Sequence, residues 1–451
     1  MDANSDSASK RSAGLHSPPG PVTLSRAGPG ASSRRKILRD TGIPPHYAWC
    51  ALALVLAAIL GFGGVYSYVW APVDLGLFLC VSVLFWQSAL RRLALNWQPL
   101  LWPMTGFFFL VALQWRLHWS AYSAVTLTGL VQLAGCGCAF YLVLSSCHSE
   151  KTLFRLAWVL WLFCGLLSLE ALFQYFGANN YIYWFHNATY AWPIGPYVYH
   201  NYFAGCMDLL LPLALCVALR AGRSTGPYWL TWLRRGIFPA LGFVAVLISR
   251  SRGGIFALVF ELILAAIIFA PELRKRRTAR RALFFGSILL VSFGFLAHWG
   301  PVLRRLGHLN GHDPSFLDRW RVSISCWHIF LAHPWFGVGF NAFSVVYPAY
   351  QLFDNGQIFL FAHNDYAQML AETGIAGLIC VVAFLLFWLH NCRSCRIRKH
   401  PPRVQSLQLA AFIGTAGFMF HALGDFQFHA PANALLFFAV LAMAVARIET
   451  A

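Results

Sequence analysis

The chain has 451 residues, of which 58% are hydrophobic and only 11% charged, with a formal net charge of +18. Soluble globular domains are about 45–50% apolar, so this composition excludes an ordinary soluble enzyme and indicates an integral membrane protein. The excess of cations falls in short clusters between apolar runs, which reads as membrane topology rather than a nucleic-acid footprint.

Residues 1–46 are rich in Ser, Pro, Gly and Arg and poor in large apolar side chains, and are expected to form a disordered basic cytoplasmic tail. The first apolar run lies too far in, and is too long, for a cleaved signal peptide; it reads as a retained span. Residues 47–451 are expected to form an all-α polytopic membrane domain, because apolar runs of about 20 residues, enough for a helix to cross a bilayer, recur along it. Twelve transmembrane helices are predicted, near 47–66, 71–90, 98–114, 122–146, 153–175, 202–219, 236–249, 254–270, 282–299, 364–390, 405–423 and 431–448. The clusters around Arg34, Arg91, Lys151, Arg220, Arg274 and Arg393 then share one side, which the positive-inside rule makes cytoplasmic. The twelve cysteines lie mostly within these spans, and the lone Cys392-x-x-Cys395 pair is read as neither a zinc site nor a disulfide.

Two outer loops are long, about 176–200 and 300–362, the second directly before the tenth span. Long structured loops carry function more often than short ones. The first presents Tyr181, Tyr183, Trp184 and Phe185, suited to an interfacial belt or to sugar stacking, and ends in His200-Asn201 at the mouth of a span. The second holds His308, Asn310, His312, Asp313, Asp318, Arg319 and Arg321, then Pro334-Trp335-Phe336-Gly337-Val338-Gly339. His308 and His312 would share a metal only on a helix, whereas Asn310-Gly311 between them favours a turn, so no metal site is predicted. Gly337-x-Gly339 lacks the third glycine of a dinucleotide fingerprint.

Outward arginines run against the topological trend, and a guanidinium is suited to a bidentate grip on phosphate oxygens. Ser249-Arg250-Ser251-Arg252-Gly253-Gly254, between two apolar runs, reads as a phosphate clamp. His363 and Asn364 are expected at the N-terminus of the tenth span, with Asp365 in its first turn and His363 presented beside an anion; Gly374 and Gly377 permit close packing on the same helix. The turn from His421 to Pro431 carries Asp425, a candidate partner for one of the clamp arginines.

These residues together resemble the O-antigen ligase/polymerase family of bacterial membrane glycosyltransferases. The resemblance rests on His200-Asn201-x-Phe203-Ala204, Ser251-Arg252-Gly253-Gly254, Arg319 ahead of Pro334-x-x-Gly337-x-Gly339, and Ala362-His363-Asn364-Asp365-Tyr366 followed by Glu372-x-Gly374-x-x-Gly377. It covers roughly 195–435; the first five spans match only in hydropathy. It implies transfer of a glycan from an undecaprenyl-pyrophosphate carrier to a hydroxyl of a glycan or lipid acceptor, on the outer face of the bacterial cytoplasmic membrane. No nucleotide sugar, metal, cofactor or nucleic acid is implied, and membrane lipid is the surrounding partner.

In that chemistry His363 is the base, since an unperturbed imidazole titrates near pH 6.5. Arg252 and Arg319 are the pyrophosphate clamps, with Arg250 and Arg321 in reserve. His200, Asn201, Asn364, Asp365 and Tyr366 are the expected substrate contacts. Where family members often carry a Trp shortly after the loop arginine, this chain has Ser323, which leaves Arg319 and Arg321 as alternatives. No motif separates ligase from polymerase. The rival class is a secondary transporter, for example of inorganic carbon, suggested by Glu170, Asp208 and Glu261 inside predicted spans. Against it stand the lack of an evident repeat between halves and the concentration of polar groups on one face.

Overall fold

The computed structural model describes residues 43–91, 95–177, 181–187, 193–220, 228–275, 314–356, 358–397 and 400–448. The predicted tail up to residue 42, the predicted span 282–299, and His308, Asn310, His312 and Asp313 lie outside the described residues.

The described chain is nearly all helical. In order it forms α1 (His46–Leu60), α2 (Ser67–Arg91), α3 (Leu101–Arg116), α4 (Ser123–Ser146), α5 (Glu150–Phe176), α6 (His200–Arg220), α7 (Tyr228–Ser249), α8 (Arg252–Lys275), α9 (Pro314–Ala332), α10 (Phe343–Val346), α11 (Asp365–Ile397), α12 (Pro402–His421) and α13 (Pro431–Val445). Between α5 and α6 a minimal antiparallel hairpin pairs β1 (Tyr181–Ile182) with β2 (His186–Asn187).

Local chemistry sets several of these boundaries. Ser149 caps α5 by accepting the amide of Thr152 at 3.1 Å, and Ser251 caps α8 by accepting that of Gly254 at 3.1 Å. Asn364 caps α11 through its side-chain oxygen, which takes the amides of Tyr366 and Ala367.

Among the described residues, six helices are long and apolar enough to cross a membrane: those spanning 67–90, 123–146, 150–176, 200–219, 252–270 and 365–397. Three of the other predicted spans coincide with shorter apolar helices, at His46–Leu60, Gly236–Ser249 and Pro431–Val445. Those at 98–114 and 405–423 coincide with α3 and α12. α12 carries more polar residues because it lies inside the bundle, where Gln408 donates to the Ala446 carbonyl at 2.7 Å and Thr415 accepts from the Trp388 indole at 3.1 Å. The predicted loop 300–362 also contains a helix of its own, α9, and the short α10.

Burial separates inner from outer helices. In α6, 83% of the apolar window is buried, against 22% in α2 and in α8. α6 therefore forms the axis of the bundle, while Trp86, Phe173, Ile267, Ile379 and Leu386 point outward as exposed apolar groups, the pattern of a surface that meets lipid. α12 packs closely on α6 at Gly414, where a Cβ would stand 3.0 Å from the Asp208 carbonyl oxygen.

α11 is interrupted at Gly374, whose φ of +62° and ψ of −156° are non-helical. The segment after α9 docks into this break. The amides of Ile375 and Ala376 donate to the carbonyls of Pro334 and Trp335 at 2.8 and 3.1 Å, while those of Val338 and Gly339 donate to Ala371 and Glu372 at 3.1 and 3.0 Å. Four backbone groups beside the break, the amides of Ile375 and Ala376 and the carbonyls of Ala371 and Glu372, are thus re-paired, which a low-dielectric setting favours. The Glu372 carboxylate takes the amides of Asn341 and Phe343 at 2.8 and 3.1 Å, and Gln114 of α3 donates to the carbonyls of Phe336 and Glu372. The Pro-x-x-Gly-x-Gly and Glu-x-Gly-x-x-Gly motifs are therefore two halves of one joint.

Gly337 sits at the centre of that joint with a φ of +67°, and a Cβ there would overlap the Glu372 backbone. Gly337→Ala is expected to destabilise the protein by about 2 kcal/mol or more. Gly236→Ala, where a Cβ meets open space, is expected to be neutral or stabilising by about 0.5–1 kcal/mol. Thermal unfolding of the two purified variants checks the contrast.

Candidate functional site

The turn that joins α12 to α13 collects the sequence motifs. The amide of Asp365 donates to the Ala422 carbonyl at 3.0 Å, and Arg319 Nη1 donates to the Gly424 carbonyl at 2.6 Å. Asn201 at the start of α6 donates its side-chain amide both to Asp425 and, at 2.8 Å, to the Tyr199 hydroxyl. A Cβ on Gly253 would lie 2.6 Å from the His421 ring and one on Gly254 2.5 Å from the Ala204 Cβ, so both glycines let the start of α8 press against α12 and α6.

His363 Nδ1 faces Asp425 Oδ1 at 3.5 Å, the outer limit of a hydrogen bond. The imidazole side chain is 20% exposed and the carboxylate 1%, so the histidine has one edge against a buried anion and another open to a ligand. Phe426 packs edge-on to His363 with centroids 4.6 Å apart and stacks on Tyr199 and Phe361. His363 and Arg250 are both non-glycine residues in the left-handed region, at φ +54° and +59°, each just before a long helix. Such strain concentrates where the surrounding structure enforces a side-chain direction for function.

Burial alone would raise the Asp425 carboxyl, but the close approach of His363 and the charges of Arg319, His363 and His421 outweigh it and hold the group below the usual carboxylate range. The same burial, with the Asp425 charge, pushes the Tyr199 phenol up, against the opposing pull of the Arg319 guanidinium that bonds it.

Two further histidine–carboxylate pairs flank the turn. His421 Nδ1 lies 2.7 Å from Asp208 Oδ2, both fully enclosed, and Gln427 bridges His421 to the Asn201 carbonyl. His429 Nδ1 lies 2.7 Å from Asp365 Oδ1, and Asp365 Oδ2 takes the amide of Phe428 at 2.9 Å. Burial works against a charged His429, yet the hydrogen bond and charge of Asp365 and the charge of Glu372 raise it above its ordinary value.

Of the residues predicted from sequence, the structure gathers His363, Arg319 and Asn201 around Asp425, and joins the start of α8, which begins with Arg252, to them through Gly253 and His421. Arg252 stands in the first turn of α8, where a cation opposes the helix dipole, a placement suited to an anionic ligand. Arg250 lies over the Tyr175 ring at 5.9 Å and Arg321 over Phe353 at 5.3 Å. His200 opens α6 with its ring 4.8 Å from that of Tyr199.

Asn364, Asp365 and Tyr366, expected as substrate contacts, have side-chain atoms engaged within the protein: Asn364 as the α11 cap, Asp365 on His429, and Tyr366 donating to the Met419 carbonyl at 2.9 Å. The amides of residues 365–367 likewise meet Ala422 and Asn364. The start of α11 therefore presents His363 without offering these three amides to an anion.

In the sequence, Asp425 reads only as a partner for the clamp arginines, and neither His421 nor His429 has a role. The signal was present: His421, Asp425 and His429 recur at intervals of four between two apolar runs. Glu170 sits elsewhere on α5, whereas Asp208 and Glu261 are enclosed, Asp208 on His421 and Glu261 against Gly417 of α12.

Compared with known families, residues 237–382 match the profile of the family described as O-antigen ligase. The matched stretch runs from α7 into α11 and contains Ser251–Gly254, Arg319, the Gly337 joint and His363; it ends before the turn that carries Asp425. No curated protein matches the chain.

Because the Asp425 carboxyl is depressed in the folded state, its stabilising contribution is complete above the unfolded value near 3.9 and is lost only as pH falls through the lower folded value. Asp425→Ala, which strips a buried anion from His363, Asn201 and Arg319, is expected to cost about 3–5 kcal/mol at neutral pH. The stability gap between wild type and Asp425→Asn is expected to shrink as pH falls below about 4. Thermal unfolding as a function of pH measures both.

Proposed function

We propose that this chain, a member of the O-antigen ligase family through residues 237–382, transfers a glycan from an undecaprenyl-pyrophosphate carrier to an acceptor hydroxyl. The reaction takes place on the outer face of the bacterial cytoplasmic membrane, as a step in cell-surface polysaccharide assembly. The observation that carries this reading is the meeting of a partly exposed His363, a buried Asp425 and Arg319 on one turn.

With Nδ1 turned to the Asp425 carboxylate, His363 keeps Nε2 for the acceptor. The carboxylate orients the ring and stabilises the imidazolium that forms when the hydroxyl proton is taken. The acceptor oxygen then bonds to the anomeric carbon, the bond from that carbon to the pyrophosphate oxygen breaks, and its electron pair leaves with the pyrophosphate. Arg319 and Arg252 meet the added negative charge as fixed cations. Arg319 is preferred to Arg321 because it reaches Gly424 beside Asp425, whereas Arg321 rests on Phe353. Asn201 acts through Asp425 as a positioning residue.

The test is transfer from an undecaprenyl-pyrophosphate-linked glycan by purified protein with and without EDTA, at matched folded yield. Wild type is expected to remain active after chelation. His363→Ala should lose roughly 10²–10⁴-fold, and Arg252→Ala and Arg319→Ala about 10²–10³-fold each. Arg321→Ala should lose less than about tenfold. Undiminished transfer by His363→Ala, or no transfer by wild type to any glycan or lipid acceptor, overturns the reading.

A further inference from the structure

A second feature lies apart from the His363 cluster. A cavity of about 800 Å³ is lined by residues of α2, α3, α4, α11 and α13 and of the segment that leads into α13. This is within the range of small-ligand sites, about 300–1,000 Å³. Neither His363, Arg252, Arg319 nor Asp425 lines it. Its wall runs from Phe361, His429 and Pro431 at the His363 end to Phe85, Tyr141 and Leu385. On α11 the lining lies on both sides of the break at Gly374, from Asp365 to Leu385, a stretch of chain on the order of the thickness of a hydrocarbon layer. A long apolar space of that length has the form of an extended lipid chain.

One wall carries a group that hydrocarbon alone does not satisfy. Asp74 of α2 lines the cavity, is 2% exposed, and its Oδ2 has no hydrogen-bond partner among the described residues. It is accommodated by Gly135 of α4, where a Cβ would overlap the carboxyl group. Gln132, one turn away on α4, lines the same space. An enclosed polar atom without a partner is costly, and the usual remedy is a ligand or water that supplies one.

We propose that this cavity binds the long acyl chain of a membrane lipid, with a hydroxyl on that chain donating to Asp74 beside Gln132. A plain isoprenoid chain fills the same shape but offers Asp74 nothing, so a hydroxyl-bearing acyl chain is the better match. The inference concerns binding alone and does not depend on the glycan-transfer reading.

Gly137 makes the test clean, because it lines the cavity and a Cβ built on it meets nothing within 4 Å. Larger side chains at that position enter the cavity without displacing neighbours at the backbone. The purified full chain is photolabelled with a diazirine-bearing hydroxypalmitate and, in a second arm, with a diazirine-bearing polyprenol; labelled residues are mapped by mass spectrometry.

The hydroxypalmitate is expected to label cavity residues of α3, α4 or α11. Labelling should fall at least fivefold in Gly137→Trp, and severalfold in Asp74→Leu, while Asp74→Asn, which keeps hydrogen-bonding capacity, retains most of it. Gly137→Leu is read in parallel and carries the test should the tryptophan variant fail to elute as wild type does. Labelling unchanged by both Gly137 variants, confined to residues outside the cavity, or indifferent to Asp74→Leu overturns the proposal. Stronger labelling by the polyprenol than by the acyl probe overturns the choice of chain.

Discussion

A buried carboxylate at Asp425 is the constraint around which the functional end of this protein is arranged. An anion that is 1% exposed must be met by donors and cations from its surroundings. Here they come from separate parts of the chain: Asn201 from α6, Arg319 from α9, and His363 from the approach to α11. Satisfying one charge thereby sets the positions of the residues best suited to proton transfer and to anion binding. Stability and the proposed chemistry draw on the same contact, so a change at Asp425 bears on both.

A second constraint acts on the backbone. His363 stands at a fixed point because α11, which follows it, is anchored at both ends of its first segment. At the start, Asp365 is held by Ala422, Phe428 and His429; at Gly374, the broken helix is filled by the chain from Pro334 to Phe343. Glu372 and Gln368 tie the two anchors together, since Gln368 donates to Glu372 at 3.0 Å and contacts His429 at 2.9 Å. The glycines at 337 and 374 are the positions where this joint tolerates no side chain.

The polar cluster and the apolar cavity are neighbours that share Asp365 and His429 but face different chemistry. One side has charges arranged on a turn. The other is a lining of aromatic and aliphatic groups with an isolated carboxyl at Asp74. Such a division suits a protein that handles an amphiphilic substrate within a bilayer, where the polar and apolar parts of a lipid must be accommodated side by side.

Most of the helices were legible in the sequence, because apolar runs of bilayer length impose helices whatever they pack against. The cap at Asn364 and the polar start of α11 were equally local and equally legible. The roles of the polar residues were not. Asn364, Asp365 and Tyr366 form a motif that reads as ligand-binding, yet Asn364 is engaged as the cap of its own helix, and Asp365 and Tyr366 by tertiary contacts with residues 419–429. The choice between Arg319 and Arg321, two residues apart, turns on which face of α9 meets Gly424 and which meets Phe353. Asp425 gained its place only from partners more than 60 and more than 220 positions earlier in the chain. Periodicity and composition act over a single helix, so the sequence by itself determined the helices and the motifs they carry. The pairing of charges depends on which helix ends meet in space, and only the tertiary structure decided that.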